Sequence, residues 1–231
     1  MYLKFLLFSL LMTSGLCGQT VDSVKTINRL QFGVHFGVME HEVEFTPSRT
    51  VEALQGNSFG VALRHFDNKL VGFQAELSYV QAGWKENIDP DFATLYERSV
   101  SYAELLILTQ VSIGKGTIQP LLQAGPYVSF PLSDSEKIPE GYVDPGGTLP
   151  QTYGLDFPSR INYGARVGVG LNVELGPLTL QLDGRYLAGF SDLFKNGETV
   201  VATSRRGGLG GHVALFYTFF QGGDAGAKVG K

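Results

Sequence analysis

The stretch from Ile161 to Leu175 constrains this chain more than any other. It reads Ile-Asn-Tyr-Gly-Ala-Arg-Val-Gly-Val-Gly-Leu-Asn-Val-Glu-Leu. Ile161, Tyr163, Ala165, Val167, Val169, Leu171, Val173 and Leu175 share one parity. Asn162, Gly164, Arg166, Gly168, Gly170, Asn172 and Glu174 share the other. Period-two alternation marks a strand with one apolar face and one polar or glycine face. An average strand has about 5–6 residues, and this one is more than twice as long. A tilted strand needs about 9–11 residues to cross the hydrocarbon of a bilayer. An apolar outer face, with charge on the narrow inner one, is the requirement of a transmembrane β-barrel.

The same alternation recurs along the chain. Leu30–Val38 sets Leu30, Phe32, Val34, Phe36 and Val38 against Gln31, Gly33, His35 and Gly37. Ser58–Phe66 sets Phe59, Val61 and Leu63 against Gly60, Ala62 and Arg64. From Leu70 to about Trp84, Val71, Phe73, Ala75, Leu77 and Tyr79 oppose Gly72, Gln74, Glu76 and Ser78. Tyr96–Ile113 turns Ala103, Leu105, Ile107, Val111 and Ile113 outward and Glu104, Gln110 and Ser112 inward, with Leu106 and Leu108 blurring the pattern. Thr117–Phe130 is the fifth segment, and its Pro120 and Pro126 predict bulges or strand ends. Ile161–Leu175 is the sixth. The seventh, from Leu178, opposes Leu180, Leu182 and Tyr186 to Gln181, Asp183 and Arg185. In the eighth, Arg206–Phe220, the residues Leu209, Val213, Leu215, Tyr217 and Phe219 face out.

Asp67-Asn68-Lys69, Gly114-Lys115-Gly116 and Gly176-Pro177 are short turns, and the other connections are long. The predicted fold is therefore all-β: an eight-stranded antiparallel transmembrane up-and-down barrel, with short periplasmic turns and long extracellular loops. Closure leaves no unpaired edge in lipid. The 30 glycines and 10 tyrosines suit a crowded lumen and an interfacial girdle. A net charge of −4 supplies no basic patch for nucleic acid.

Residues 1–18 read as a signal peptide: Lys4, an apolar run from Phe5 to Met12, then small residues up to a cleavage after Gly18. The single cysteine, Cys17, follows Leu16 where a lipoprotein signal needs a small residue. Without Cys17 the mature chain has no disulfide or thiol chemistry. The expected organisation is signal peptide 1–18, periplasmic lead-in 19–29, barrel 30–220 and tail 221–231. The expected location is the outer membrane.

Three strings carry a family resemblance: Phe73-Gln74-Ala75-Glu76-Leu77-Ser78-Tyr79 with Gly83 beyond, Tyr102-Ala103-Glu104-Leu105-Leu106, and Pro120-Leu121-Leu122-Gln123-Ala124-Gly125-Pro126-Tyr127. In this order they resemble PorT-like outer-membrane β-barrel proteins of Gram-negative bacteria, over nearly the whole mature chain. Leu106 stands where members often carry proline, and eleven residues follow Phe220 where members usually end. Some relatives are linked to secretion and gliding machinery. The resemblance thus implies an outer-membrane barrel and a machinery-associated role.

Arg64, Glu76, Glu104, Arg166, Glu174, Asp183 and Arg185 fall on the predicted lumen face, with His35 and His212 beside them. An eight-stranded barrel is just wide enough to be filled by its own side chains. Those charges are expected to form a paired network, because breaking a buried pair costs about 3–5 kcal/mol. Arg166 is expected to meet Asp183, Glu104 or Glu76, with Asp183 favoured by the Gly176-Pro177 hairpin. His41 with Glu40 and Glu42, and His65 at a turn, are the only catalytic candidates, and no serine motif accompanies them. Four scattered histidines give no metal spacing. The expectation is no catalytic residues, no metal and no cofactor. Pro131–Arg160, with Asp134, Glu136, Glu140, Asp144, Asp156, Tyr142 and Tyr153, is expected to be a surface loop able to bind a partner.

The function expected is a monomeric barrel in outer-membrane lipid with a structural, scaffold or envelope-interaction role, its partners being envelope or secretion-machinery proteins. The alternatives are a membrane-embedded hydrolase or acyltransferase, and a small-solute pore. A lipocalin-like carrier would need the reverse polarity of Ile161–Leu175.

Overall fold

A computed structural model describes residues 28–48, 50–68, 70–89, 94–114, 116–140, 142, 152–155, 161–194 and 202–222. The expected signal peptide, residues 1–18, and almost all of the expected tail lie outside the described residues, as do Asp144 and Asp156. The elements are β1 (Arg29–Thr46), β2 (Val51–Phe66), β3 (Val71–Asp89), β4 (Thr94–Ser112), β5 (Ile118–Lys137), β6 (Asn162–Leu175), β7 (Leu178–Asp192) and β8 (Thr203–Gln221). Each pairs antiparallel with the next, and β8 returns to β1 to close a barrel.

One end of the barrel, the turn end, holds the strand termini Arg29 and Gln221, which pair with each other. There Asn68 Oδ1 accepts hydrogen bonds from the backbone N–H groups of Leu70 and Val71, at 2.9 and 2.8 Å. This side-chain mimic of a turn carbonyl ties β2 to β3. The β6–β7 hairpin closes on Gly176, whose φ of +68° lies in the left-handed region open to glycine.

Parity decides the two faces. Val169 is 64% exposed and Leu209 64%, whereas Arg64 and Glu104 are 0% exposed. Leu106 and Leu108, which blur the sequence pattern, both point into the lumen and are fully buried. They pack with Met39, Tyr127 and Leu187 in an apolar layer there.

Five strands run well past the sequence alternation. β1 continues to Thr46 and β2 begins at Val51 where a loop was expected over 39–57; β3 reaches Asp89; β5 reaches Lys137; β8 starts at Thr203. On β1 the outward row changes abruptly from Phe36 and Val38 to Glu40, Glu42 and Glu44, while Met39, His41, Val43 and Phe45 stay buried inside. The nine residues Leu30–Val38 span about 30 Å of strand at ~3.3 Å each. At a tilt of about 40° they cover roughly 23 Å of height, close to the ~25 Å apolar band of such barrels. Beyond that band the outside meets water, so the period-two signal fades while the ladder continues.

Pro120 and Pro126 produce no bulge. They sit opposite Leu171 and Ala165 in unbroken register with β6. The register shift between β4 and β5 lies instead at Ser101/Tyr102, opposite Pro131 and Ser133. A proline lacks only its own N–H, so its neighbours keep the ladder.

Candidate functional site

The lumen is built in three levels. At the turn end, Arg29 clasps Glu174 through both guanidinium nitrogens at 2.9 and 3.1 Å, and Thr179 donates to the same carboxylate at 3.0 Å. Above it lies Arg64, fully buried. Its Nε and Nη1 donate to the amide oxygens of Gln31 (2.8 Å), Gln181 (2.9 Å) and Asn172 (3.1 Å). Its guanidinium lies 3.9 Å from the Phe216 ring centroid. Sequence reasoning expected a carboxylate partner for Arg64. Amide oxygens and a ring face take that place, because the guanidinium fork accepts any row of acceptors set in its plane.

The central cluster turns on Arg185. It donates to both oxygens of Glu76, at 2.8 and 2.9 Å, and through Nε to Asp183 at 2.5 Å. Amide groups close the remaining valences: Gln74 donates to Glu76, and Gln123 and Gln181 donate to Asp183. Gln110 joins Gln74 to Gln123. Beside them runs a chain of polar groups. Ser78 Oγ lies 3.2 Å from His35 Nε2, His35 Nδ1 lies 3.0 Å from His212 Nε2, and His212 Nδ1 lies 3.4 Å from Asp183. Gly60 makes room for this chain; a Cβ there would come within 2.9 Å of His35 Nε2.

The third level turns on Glu104. Arg166 approaches one of its oxygens at 2.5 Å, Arg206 lies 4.0 Å from the other, and Ser129 donates to it at 2.7 Å. Arg206 stacks on Tyr102 at 4.4 Å, and both arginines lie over Tyr127. Asp183 is not the partner of Arg166. Register sets Arg166 opposite Leu187 and Asp183 opposite Gly170, about 13 Å along the strand at ~3.3 Å per residue.

Over this level, Val43, Phe45, Trp84, Leu193 and Phe194 form a buried apolar cap. Arg98 anchors it from β4, pairing with Asp134 at 2.6 Å and Glu136 at 2.9 Å and reaching the carbonyls of Thr152 and Leu155. Tyr96 donates to Glu136 at 2.6 Å. Burial, reinforced by that bond, pushes the Tyr96 hydroxyl above its ordinary pKa. Two acids of the expected surface loop, Asp134 and Glu136, thus belong to β5 and fasten the cap.

The ring of eight paired strands, its apolar outside and its charged inside fit one kind of protein. Residues 17–195 match the outer membrane protein beta-barrel domain family. The chain belongs to that family. This outer-membrane barrel is also similar to the crystal structure of Neisserial surface protein A, at 16% identity over 80% of this chain and 96% of the other, with a TM-score of 0.43. OprG from Pseudomonas aeruginosa matches at 10% identity over 84% and 97%, TM-score 0.47. The outer membrane protease OmpT from Escherichia coli matches at 9% identity over 85% and 98%, TM-score 0.40. No curated protein matches the sequence.

In the barrel, Arg64, Glu76, Glu104, Arg166, Asp183 and Arg185 are buried in the lumen, and Glu174 is half-buried at its turn end. Thr179 and Gln31 link Arg29–Glu174 to the Arg64 cradle by hydrogen bonds, and Gln181 links that cradle to the Arg185 cluster; Glu104 with Arg166 and Arg206 forms a further cluster above them. Arg29, Arg98 and Arg206 escaped the sequence reading, because each lies where the alternation begins or ends. The glutamines were missed because polar amides on a lumen face carry no charge signal.

His41 does not join Glu40 and Glu42: it is buried in the lumen while both acids face out. His65 contacts Asn28 at the turn end. Among the described residues, His35, Glu76 and His212 bring ligand atoms within 4.8 Å of one another. Arg185 and Gln74 already occupy the Glu76 oxygens, so a cation there would have to displace a bidentate arginine.

Proposed function

We propose that this barrel is a sealed, non-conducting module of the outer membrane that serves as a scaffold or docking element for envelope machinery. The observation that carries the reading is the filled lumen. Amides and ion pairs occupy its lower and middle levels, arginines and tyrosines the next, and an apolar cap closes the loop end. The strands then rise beyond the apolar band into a polar rim, where long loops on a rigid frame suit recognition. The PorT-like strings agree with a machinery-associated partner, and a signal peptide over residues 1–18 agrees with export.

Two measurements test this. Purified barrel reconstituted in planar bilayers should show no unit conductance, while Trp84→Ala should begin to leak. A photo-crosslinker at Glu44 on the rim should give discrete protein adducts in intact cells, and one at Val169 should give lipid adducts only. Steady ion conductance by the wild type, together with no rim adducts, would reverse the reading.

One observation favours a second reading, a lipid hydrolase. The Ser78–His35–His212–Asp183 chain has the order of a nucleophile, a base and its supports. Labelling of Ser78 by a fluorophosphonate, abolished in Ser78→Ala, would establish it.

A further inference from the structure

The outside wall carries an open groove between β2 and β5, at the loop-end edge of the apolar band. Phe59, Val61, Leu77, Tyr79, Ala103 and Leu132 line it. Ala103 pairs with Tyr79 on one side and Phe130 on the other, so a methyl group stands between two aromatic rings. β3 and β5 lie two strand spacings apart, about 9–10 Å. That leaves a channel for about one hydrocarbon chain over Ala103. The Phe59 and Tyr79 rings, with centroids 5.3 Å apart, form one bank.

A bulge builds the other bank. Ser101 pairs with Ser133 and Tyr102 with Pro131, which leaves Leu132 without a partner in the β4 register. Leu132 turns outward and is exposed on the wall. Bulges of this kind re-aim one side chain while the ladder continues on either side.

Above the groove the wall becomes polar without gaining net charge. The Tyr79 hydroxyl lies 2.7 Å from Ser101 Oγ, and Ser99 Oγ lies 3.5 Å from Ser135 Oγ. With Ser133 opposite Ser101, they make a ladder of outward hydroxyls. Higher still, Glu97 lies 3.5 Å from Lys137 and 4.0 Å from Lys85, and Glu52 stands opposite Lys85. Two lysines and two glutamates leave that row neutral. On β1, by contrast, Glu40, Glu42 and Glu44 face out, with Arg205 opposite Glu44.

We propose that the groove and the hydroxyl ladder bind one glycolipid of the surrounding membrane, with an acyl chain over Ala103 and the sugar headgroup on the serines. Long loops face the outside in such barrels, so the lipid comes from the outer leaflet. Serine and tyrosine hydroxyls donate and accept hydrogen bonds, which matches the hydroxyls of a sugar. A bare phosphate headgroup would find no net positive charge in the row above and would be repelled from β1. The site lies on the outer wall and is independent of what the lumen does.

The test reads lipid retained by the full wild-type barrel in native mass spectra. The micelles hold equal amounts of monoglucosyl diacylglycerol, phosphatidylethanolamine and phosphatidylglycerol, all with the same acyl chains. One glucolipid adduct, several-fold above either phospholipid, is expected. Ser101→Ala combined with Ser133→Ala should bring the three lipids to parity. Ala103→Trp, which fills the channel, should abolish the glucolipid adduct. Equal retention of all three by the wild type would be ordinary boundary lipid and would overturn the proposal. So would a preference for phosphatidylglycerol, or a glucolipid preference that persists unchanged in the serine variant. If Ala103→Trp fails to fold, the wild-type and serine measurements decide.

Discussion

The Arg185 and Glu104 clusters are mirror images in charge. In the first, one cation stands between two carboxylates; in the second, one carboxylate stands between two cations. Each therefore carries an excess of one charge, and they deal with it differently. Around Arg185 the surplus is negative, and Gln74, Gln123 and Gln181 turn amide N–H groups onto the acids. Around Glu104 the surplus is positive, and the neighbours are aromatic rings and unpartnered donors. Uncharged side chains can solvate a surplus of either sign, because Gln, Asn, Ser and Tyr both donate and accept. Arg64 finds three amide oxygens, whereas among the described residues Arg206 donates one long hydrogen bond, to Ser129.

The contrast can be broken experimentally. Arg185→Met strands Glu76 and Asp183 together and should be the most damaging change, costing about 3–5 kcal/mol by urea unfolding from bilayers. Adding Glu76→Gln should recover part of that loss, since the two residues act as a unit. Losses that merely add would show the central cluster to be hydrated and weakly coupled.

Next comes a control on the outside wall. Val169→Arg should cost about 2–4 kcal/mol if it lies near the bilayer midplane. Folding yields equal to wild type would place Val169 outside the hydrocarbon.

The two clusters separate most cleanly on loss of their surplus members. Asp183→Asn removes charge-assisted bonds to Arg185, Gln123 and Gln181, and should cost about 1.5–3 kcal/mol. Arg206→Gln should cost less than about 1 kcal/mol, because Glu104 keeps Arg166 and the level becomes neutral. A larger penalty for Arg206→Gln than for Asp183→Asn would mean that Arg206 is fully paired in solution.

The sequence carried the lumen membership of these residues but not their partnerships. Parity alone put Arg166, Glu104, Asp183 and Arg185 on the inner face, since successive side chains in a strand alternate sides. Which carboxylate meets Arg166 depended on height within the barrel. β6 and β7 are adjacent, yet their register carries Asp183 away from Arg166, and Glu104 reaches it from β4 with β5 between them. A hairpin turn fixes neighbours along one ladder and says nothing of contacts across a lumen.

The alternation by itself determined the eight strands, the outer apolar belt and the inner charge, because lipid outside and a narrow interior impose opposite chemistries on neighbouring residues. The tertiary structure alone decided how far the strands continue past the membrane. There the outside turns polar and the period-two signal disappears, although the backbone must still pair its N–H and C=O groups. Closure also decided the rest. Bringing Arg206 of β8, Glu104 of β4 and Arg166 of β6 to one level joins residues far apart in the chain, and only the curvature and stagger of the closed ring set that level.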